Sequence, residues 1–302
     1  MFLVRFSLYF FLSIVVANTV NSAKVSRWVN LIAVAGFAFV LIGFLQILLF
    51  PDLTSLTVYG WDPHQRRIVS SFLDPNYAGW IFVLLFSIFS CLYLFQKKIK
   101  FLVLSLLVFA TIVLTFSRST YLATMVAVFI IGIFKSPKLL LAFFAVSTLT
   151  FLSISEVRSR VIGAFQVDDT SQARLQSWNS AFFIFKNNPL FGVGFNTYRF
   201  AQDKYSLFEG EGLGGHSGAG SDSSILLVAA TTGIFGLSVY LFLMASIFKS
   251  LLAKAKTNYL HLALFASFCA LLFHSQFVNS LFFPQIMLLL YFTLGLTLTN
   301  DS

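Results

Sequence analysis

The sequence predicts an all-α, polytopic membrane protein: a bundle of about nine transmembrane helices with one long extracytoplasmic loop. Of its 302 residues, 58% are hydrophobic and only 10% are charged, whereas soluble domains carry about 25% charged residues. The mean hydropathy of +0.87 and the 39 phenylalanines exclude a disordered chain, which needs low hydrophobicity and high charge. Together these observations exclude a soluble enzyme and indicate a chain that lies in a bilayer.

Nine apolar segments are candidate membrane spans, because about 20 apolar residues cross the roughly 30 Å hydrocarbon core of a bilayer. Residues 1–154 are expected to hold six of these helices, residues 155–223 the extracytoplasmic loop, and residues 224–302 the remaining three. The segments are residues 2–20, 29–50, 76–95, 101–116, 119–134, 139–154, 224–248, 259–279 and 285–299.

Basic clusters at every second junction orient these helices, because positively charged loops stay in the cytoplasm. The junctions at 51–75, 117–118, 155–223 and 280–284 are then outside, as is the N-terminus. There are two alternatives at the start of the chain: residues 1–17 are a cleaved signal peptide, or further spans precede residue 1. Cleavage would move every lysine cluster outside, which the charge rule opposes. The clusters are Lys24/Arg27, Lys97/Lys98/Lys100, Lys135/Lys138 and Lys249/Lys254/Lys256.

Lysine and arginine are sorted to different sides of the predicted membrane. Nine of the ten basic residues at cytoplasmic junctions are lysines, and ten of the eleven acids lie outside. Arginine carries a planar guanidinium that binds phosphate through two parallel hydrogen bonds. The outer face is therefore expected to bind a ligand that carries phosphate; the alternative is that mixed charges only solvate an outer loop. The outer arginines are Arg66, Arg67, Arg118, Arg158, Arg160, Arg174 and Arg199.

The apolar stretch at residues 101–134 is interrupted only at 115–120 and predicts a helical hairpin. A single helix would put the lysines at its two ends on opposite sides of the membrane. Each arm of 16 residues spans roughly 24 Å at about 1.5 Å per residue, less than the roughly 30 Å core. The tip, with Ser117 and Arg118, is thus expected below the outer surface. An arginine at that depth indicates function; alternatively, Arg118 reaches the lipid phosphates.

The segment 155–223 is too long for a passive connection and is expected to hold the active site. Four apolar residues at helical spacing predict an interfacial helix over about 171–186. Arg174 lies in its first turn and is expected to face the headgroup layer. The alternative is a lid helix packed on the bundle, with Arg174 in a surface ion pair. The four residues are Leu175, Trp178, Phe182 and Phe185.

Candidate ligand contacts follow this helix. Gly192 and Gly194 are expected to allow a tight turn with close backbone approach to a ligand; they are not a dinucleotide fingerprint, because its third glycine is missing. Asn196 and Arg199 come next as candidate substrate contacts. A polar set near the end of the eighth span lines a sugar groove or makes interhelical contacts. It comprises His274, Ser275, Gln276 and Asn279.

Two residues are candidates for removing a proton from a hydroxyl group. Asp222 lies at the mouth of the seventh span, where it is either a helix N-cap alone or also a base, and His216 precedes it in a stretch rich in glycine and acids. No cluster of cysteine and histidine has the spacing of a metal site, and no Asp-x-Asp occurs. We therefore expect no metal and no cofactor.

The order of these motifs resembles that of the O-antigen ligase and polymerase superfamily. The similarity covers roughly residues 70–245. It rests on Thr115-x-Ser117-Arg118, then Arg174 and Trp178, then Pro189-Leu190-x-Gly192-x-Gly194-x-Asn196, and finally Thr232-Gly233-Ile234-x-Gly236-Leu237, with Asp222 eleven residues before Gly233.

The resemblance implies a GT-C-like glycosyltransferase of the bacterial cytoplasmic (inner) membrane, working in surface polysaccharide or lipopolysaccharide synthesis. Its donor would be an oligosaccharide on a polyprenyl diphosphate such as undecaprenyl diphosphate, and its acceptor a glycan, a lipid or a protein; no nucleic acid is involved. Arg118 and Arg174 would hold the diphosphate. The family often has histidine where this chain has Asp222, so either Asp222 or His216 would be the base.

A transporter or flippase for lipid-linked sugars is the rival class. Transporters place polar and charged residues on broken helices near the midplane and contain internal repeats, whereas these predicted spans are nearly free of charge. A noncatalytic scaffold is a third possibility, and it would leave the outer arginines without a purpose.

Overall fold

The computed structural model describes residues 2–59, 62–163, 166, 168–207 and 220–299 and is all-α over those residues. Its β structure there is one isolated bridge between Asp52 and Gln65. The helices are α1 (Phe2–Thr19), α2 (Val25–Leu49), α3 (Pro75–Gln96), α4 (Ile99–Leu114), α5 (Arg118–Phe134), α6 (Pro137–Ser153), α7 (Ser155–Ile162), α8 (Asp169–Asn187), α9 (Tyr198–Lys204), α10 (Ser224–Ala253), α11 (Tyr259–His274) and α12 (Pro284–Thr297).

Apolar helices occupy all nine predicted segments within the described residues. Three helices are long and apolar enough to cross a membrane: Ser22–Leu49, Pro75–Gln96 and Ser224–Ala253. Helices α6 and α7 add a fourth if they are one span, although the chain bends by 102° between them. The other five are shorter apolar helices of 10–17 residues. An all-α chain with three candidate membrane spans is thus confirmed over the described residues, whereas nine crossings and a GT-C-like fold stay predictions.

Helix α3 is the centre of the bundle, where it packs on α4, α5 and α11. Its first turn is fixed by Asp74, which accepts hydrogen bonds from the first backbone amides, and by a proline at the first position, both of which favour a helix start. Trp80 is fully buried, and its Nε1 donates to the Ser267 carbonyl of α11 over 3.3 Å. Helix α6, by contrast, has no buried residue, as suits a helix that faces lipid.

Helices α4 and α5 are separate, so the predicted hairpin is confirmed in place of a single helix. Phe116 makes the turn with a positive φ of 46°. Ser117 then begins α5, because its side chain accepts a hydrogen bond from the Thr120 amide over 3.2 Å. The depth of this tip in the membrane stays a prediction.

Three lysine-bearing junctions, those after α3, after α5 and before α11, gather at one end of the bundle. Lys135, after α5, lies 3.8 Å above the ring of Phe95 at the end of α3, and that ring is 6.5 Å from Tyr259 at the start of α11. We call this the lysine end. Four arginines of the predicted outer face lie around the opposite ends of α3 and α5: Arg67, Arg118, Arg160 and Arg174.

Helix α8 covers the predicted helix, and part of its apolar surface is exposed. Leu175 and Phe182, two of the four apolar residues expected on one face of an interfacial helix, are 46% and 55% exposed, whereas Ala181 and Ile184 are fully buried. The reason is close packing on α10, where Ala181 and Ile184 share a small apolar cluster with Leu227 and other residues. Helix α8 is therefore packed on the bundle, with an apolar outer face left exposed.

Candidate functional site

A cavity of about 870 Å³ lies where the hairpin tip meets α7, α8 and the first outer loop, which we define as residues 51–74. Its volume is in the range of ligand pockets. We call it the arginine cavity, because four guanidinium groups line it. They come with three carboxylates and an imidazole, and the charged or titratable lining residues are Asp62, His64, Arg67, Asp74, Arg118, Arg160, Arg174 and Asp222.

The cavity brings together Arg118, Arg174 and Asp222, three residues selected from the sequence, and Ser117 lies beside Arg118 in its wall. Ser117 also donates a hydrogen bond to the Asn76 side chain over 2.7 Å, which links the tip of the hairpin to the start of α3. Other predicted site residues lie elsewhere: Trp178, Gly192, Gly194, Asn196 and Arg199 do not line this cavity.

Arg118 is held inside the protein by partners on two neighbouring helices. Its guanidinium makes a two-pronged ion pair with Asp168, the N-cap of α8, and its Nε donates to the Arg160 carbonyl over 3.1 Å. The hydrogen bond from Arg118 lowers the pKa of Asp168 well below its usual range. Because the Arg118 side chain is only 14% exposed, it faces the cavity and not bulk lipid. A phosphate that binds it must share or displace Asp168.

Arg174 has a half-buried guanidinium that lines the cavity. Burial lowers its pKa, and the Asp222 carboxylate acts in the opposite direction. Within the described ranges Arg174 makes no ion pair, because the single one found there joins Arg118 and Asp168. The surface ion pair considered for Arg174 is therefore not among the contacts of the described residues. A half-buried guanidinium in a cavity is a strong site for phosphate.

Arg67 and Arg160 complete the cluster, although the sequence did not single them out from the other outer arginines. The Nε of Arg67 donates to the Thr115 carbonyl over 2.8 Å, and its Nη2 donates to the Phe116 carbonyl over 3.2 Å. These bonds fix the first outer loop on the hairpin tip. Burial, aided by the positive charge of Arg160, lowers the pKa of Arg67 to about 10.

His64, Asp62 and Asp74 form a second group in the same cavity. One donor atom from each lies within 4.8 Å of the others. Burial raises the pKa of Asp74 and lowers that of His64. The spacing alone would suit a metal cation. The positive charges of Arg67 and Arg160 act on His64, however, and oppose the binding of another positive ion. We assign no metal ion to this group.

Asp222 is free to act in the cavity because another residue caps α10. Ser223 is the N-cap, and its side chain accepts a hydrogen bond from the Leu226 amide; the prediction that Asp222 is the cap was wrong by one position. The Asp222 amide is fixed by the Ser177 hydroxyl over 3.0 Å. Burial raises the pKa of the Asp222 carboxyl, and Arg174 opposes that shift. The other candidate base, His216, lies outside the described residues.

Gly192 and Gly194 lie against a break in α10. Both have positive φ, and Gly233 within α10 has φ 65° and ψ −165°. The amides of Val193 and Gly194 donate to the Ala230 and Thr231 carbonyls over 3.0 and 2.8 Å, and the Ile234 amide donates to the Pro189 carbonyl over 2.8 Å. The loop thus replaces the helical hydrogen bonds that the break removes. Among the described residues, the backbone of this loop approaches α10 closely. Its close approach to a ligand stays a prediction.

The remaining candidates do not line the arginine cavity. Trp178 packs on Phe277 with ring centroids 5.8 Å apart, and Arg199 lies on α9. Asn196 lines a separate, mainly apolar cavity of about 650 Å³ beside α10 and α12. The polar set of the eighth span makes interhelical contacts: Gln276 accepts from Ser223 over 3.2 Å, and Asn279 accepts from Ser224 over 3.1 Å.

The fold and this cavity define a class: a helical membrane protein whose hairpin tip carries a buried, cationic site suited to an anionic ligand. Residues 103–241 match the family described as O-Antigen ligase. The match spans a little under half of the chain and includes the hairpin, α8, the 189–194 loop and Asp222. It confirms the predicted resemblance to the O-antigen ligase superfamily over these residues. No curated protein matches the chain.

Proposed function

We propose that this protein is a glycosyltransferase of the O-antigen ligase or polymerase type. It transfers or polymerises glycan from an oligosaccharide linked to polyprenyl diphosphate, at the outer face of the bacterial cytoplasmic membrane. The observation that carries the proposal is the arginine cavity, in which Arg67, Arg118, Arg160 and Arg174 meet the Asp222 carboxylate. The match of residues 103–241 to the family described as O-Antigen ligase supports the same class of reaction.

Arg118 and Arg174 are the proposed diphosphate ligands. Fixed guanidinium groups in a half-buried site neutralise charge that develops on a leaving group, so the reaction needs no metal ion. In the transfer step the acceptor oxygen forms a bond to the anomeric carbon, and the bond from that carbon to the diphosphate oxygen breaks. The electron pair stays on the diphosphate, and the hydroxyl proton goes to Asp222 or His216.

The other predicted residues surround this centre. Ser117 fixes the hairpin tip beside the diphosphate, and Trp178, Asn196 and Arg199 contact the glycan or its lipid. Gly192 and Gly194 shape the loop that carries Asn196. The acceptor is a glycan, a lipid or a protein.

The first experiment substitutes Arg118→Lys, which keeps the positive charge but removes the planar fork. We expect transfer from a polyprenyl-diphosphate-linked glycan in membrane vesicles to fall about 100-fold while the protein still inserts. Arg158→Lys is the matched control, since Arg158 is an exposed arginine of α7 that does not line the cavity. Wild-type transfer by Arg118→Lys would overturn the diphosphate assignment.

The banding pattern of the surface glycan after deletion separates the two activities. Single repeat units on the acceptor indicate a lost polymerase, and long chains left on the carrier lipid indicate a lost ligase. Either pattern supports the proposal, and an unchanged pattern contradicts it.

The break in α10 is the one feature that favours the rival flippase, because transporters use discontinuous helices. The 189–194 loop caps this break with backbone hydrogen bonds, which leaves fewer groups free to bind a substrate there. The two classes are separated with purified protein in vesicles. Movement of the lipid-linked glycan across the bilayer without a new glycosidic bond would favour the flippase.

A further inference from the structure

The first outer loop places a buried imidazole in the arginine cavity. The His64 side chain is 7% exposed, and its Nδ1 is buried with no hydrogen-bond partner among the described residues. Buried polar atoms are nearly always hydrogen-bonded, so an orphan that lines a cavity points to a ligand. His64 lies outside residues 103–241, the part that matches the O-antigen ligase family, so the match says nothing about it.

Charged groups of both signs face this imidazole. Asp62, Arg67 and Asp74 come from its own loop, with Asp74 as the N-cap of α3, and Arg160 comes from α7. Burial, supported by the two arginines, lowers the pKa of His64 and favours a neutral ring. A diphosphate bound to Arg118 and Arg174 in the same cavity would reverse this balance, because its negative charges favour the imidazolium.

We propose that His64 is a further ligand of the donor diphosphate and takes up a proton when the diphosphate binds. The inference rests on the proposed function, since it needs a diphosphate in this cavity. The imidazolium donates a hydrogen bond to a diphosphate oxygen, and Asp62 and Asp74 lie close enough to stabilise its charge.

His64 also completes the proton balance of the transfer step. The acceptor hydroxyl loses its proton to Asp222 or His216, while the electron pair of the broken bond remains on the diphosphate oxygen. His64 passes its proton to that oxygen, and the protonated diphosphate leaves with the carrier lipid. The base then releases its proton to water, and the imidazole, neutral again, takes its next proton from water when another donor binds.

The protonation states of His64 determine how the affinity for diphosphate changes with pH. The pKa of His64 lies below its usual value in the free protein and rises when the diphosphate binds. Between those two values binding includes proton uptake, so affinity is highest at the acidic side and falls by up to about tenfold per pH unit as the pH rises.

The test is calorimetric titration of inorganic diphosphate into the purified full chain at about pH 7.5, in two buffers of different ionisation enthalpy. We expect the wild type to take up about one proton more than His64→Gln. The matched control is His261→Gln, because His261 is also 7% exposed and has an unpartnered Nδ1, but lies at the start of α11. Equal proton uptake by wild type and His64→Gln would overturn the proposal.

Arg174→Gln separates this inference from the proposed function. If diphosphate binding is lost in Arg174→Gln but proton uptake is unchanged in His64→Gln, the proposed function is supported and the inference about His64 is wrong. If the wild-type protein does not bind diphosphate, both the proposed function and the inference about His64 are contradicted. If His64→Gln does not fold, His64→Asn replaces it, and wild-type binding without proton uptake overturns the inference on its own.

Discussion

Both ends of the bundle carry positive charge, but the cations at the two ends have different partners. At the lysine end, Lys135 and Lys97 lie over aromatic rings at 3.8 and 5.8 Å, and no described acid forms an ion pair there. At the other end, Arg67 and Arg118 are bound to backbone carbonyls and Asp168 around a cavity. Lysine charges at helix ends suffice to orient a membrane protein, whereas fixed guanidinium groups are suited to binding phosphate.

Among variants of the arginine cavity, loss of the Asp222 carboxylate is expected to lower transfer the most. Asp222→Asn should lower transfer about 10²–10⁴-fold, the range for removal of a general base. Because burial raises the pKa of Asp222 and a base must be deprotonated, wild-type transfer at saturating donor should rise with pH through that raised value. Rate measurements across pH on vesicles test this.

Asp203→Asn is the control for Asp222, since Asp203 is an exposed acid of α9. If Asp222→Asn keeps the wild-type rate and pH profile, Asp222 is not the base, and His216→Ala becomes the deciding variant.

The loop that caps α10 should respond strongly to an added methyl group. A Cβ on Gly192 would lie 2.3 Å from the backbone carbon of Thr231, at a φ of +64°. Gly192→Ala should therefore destabilise the fold by at least the roughly 1–3 kcal/mol of a strained backbone position, measured as a lower thermal midpoint. Leu190→Ala on the same loop, with a 55% exposed side chain, should change it little. Equal midpoints for the two variants would contradict the capping role of the loop.

Removal of divalent cations by a chelator should have the smallest effect on transfer. The four guanidinium groups supply the charge neutralisation in our proposal, so EDTA should leave the transfer rate unchanged. Loss of transfer that a divalent cation restores would assign a metal to the Asp62, His64 and Asp74 group and contradict a metal-free mechanism.

Much of this architecture was readable from the sequence, because apolar length, lysine clusters and helix caps are local signals. The hairpin at Phe116 and Ser117 and the helix over 169–187 followed from such signals. The choice of Arg118, Arg174 and Asp222 rested on the charge pattern together with the family resemblance, and the structure does bring these residues into one cavity.

The rest depended on tertiary contacts. His64 and Arg67 enter the cavity because the first outer loop folds onto the hairpin, where the Ile68 amide donates to the Leu114 carbonyl over 2.9 Å. Nothing in the spacing of that loop predicts this contact. The buried face of α8 was likewise set by the small Ala181 against α10, which a pattern of large apolar residues does not reveal.

The most direct test of the central claim compares one cation from each end in the same transfer assay. Arg174→Lys should reduce transfer about 100-fold, because the lost fork stabilises charge in the transition state, while Lys135→Arg should keep the wild-type rate. Equal rates for the two variants, with both proteins inserted at wild-type levels, would contradict the assignment of the arginine cavity as the diphosphate site.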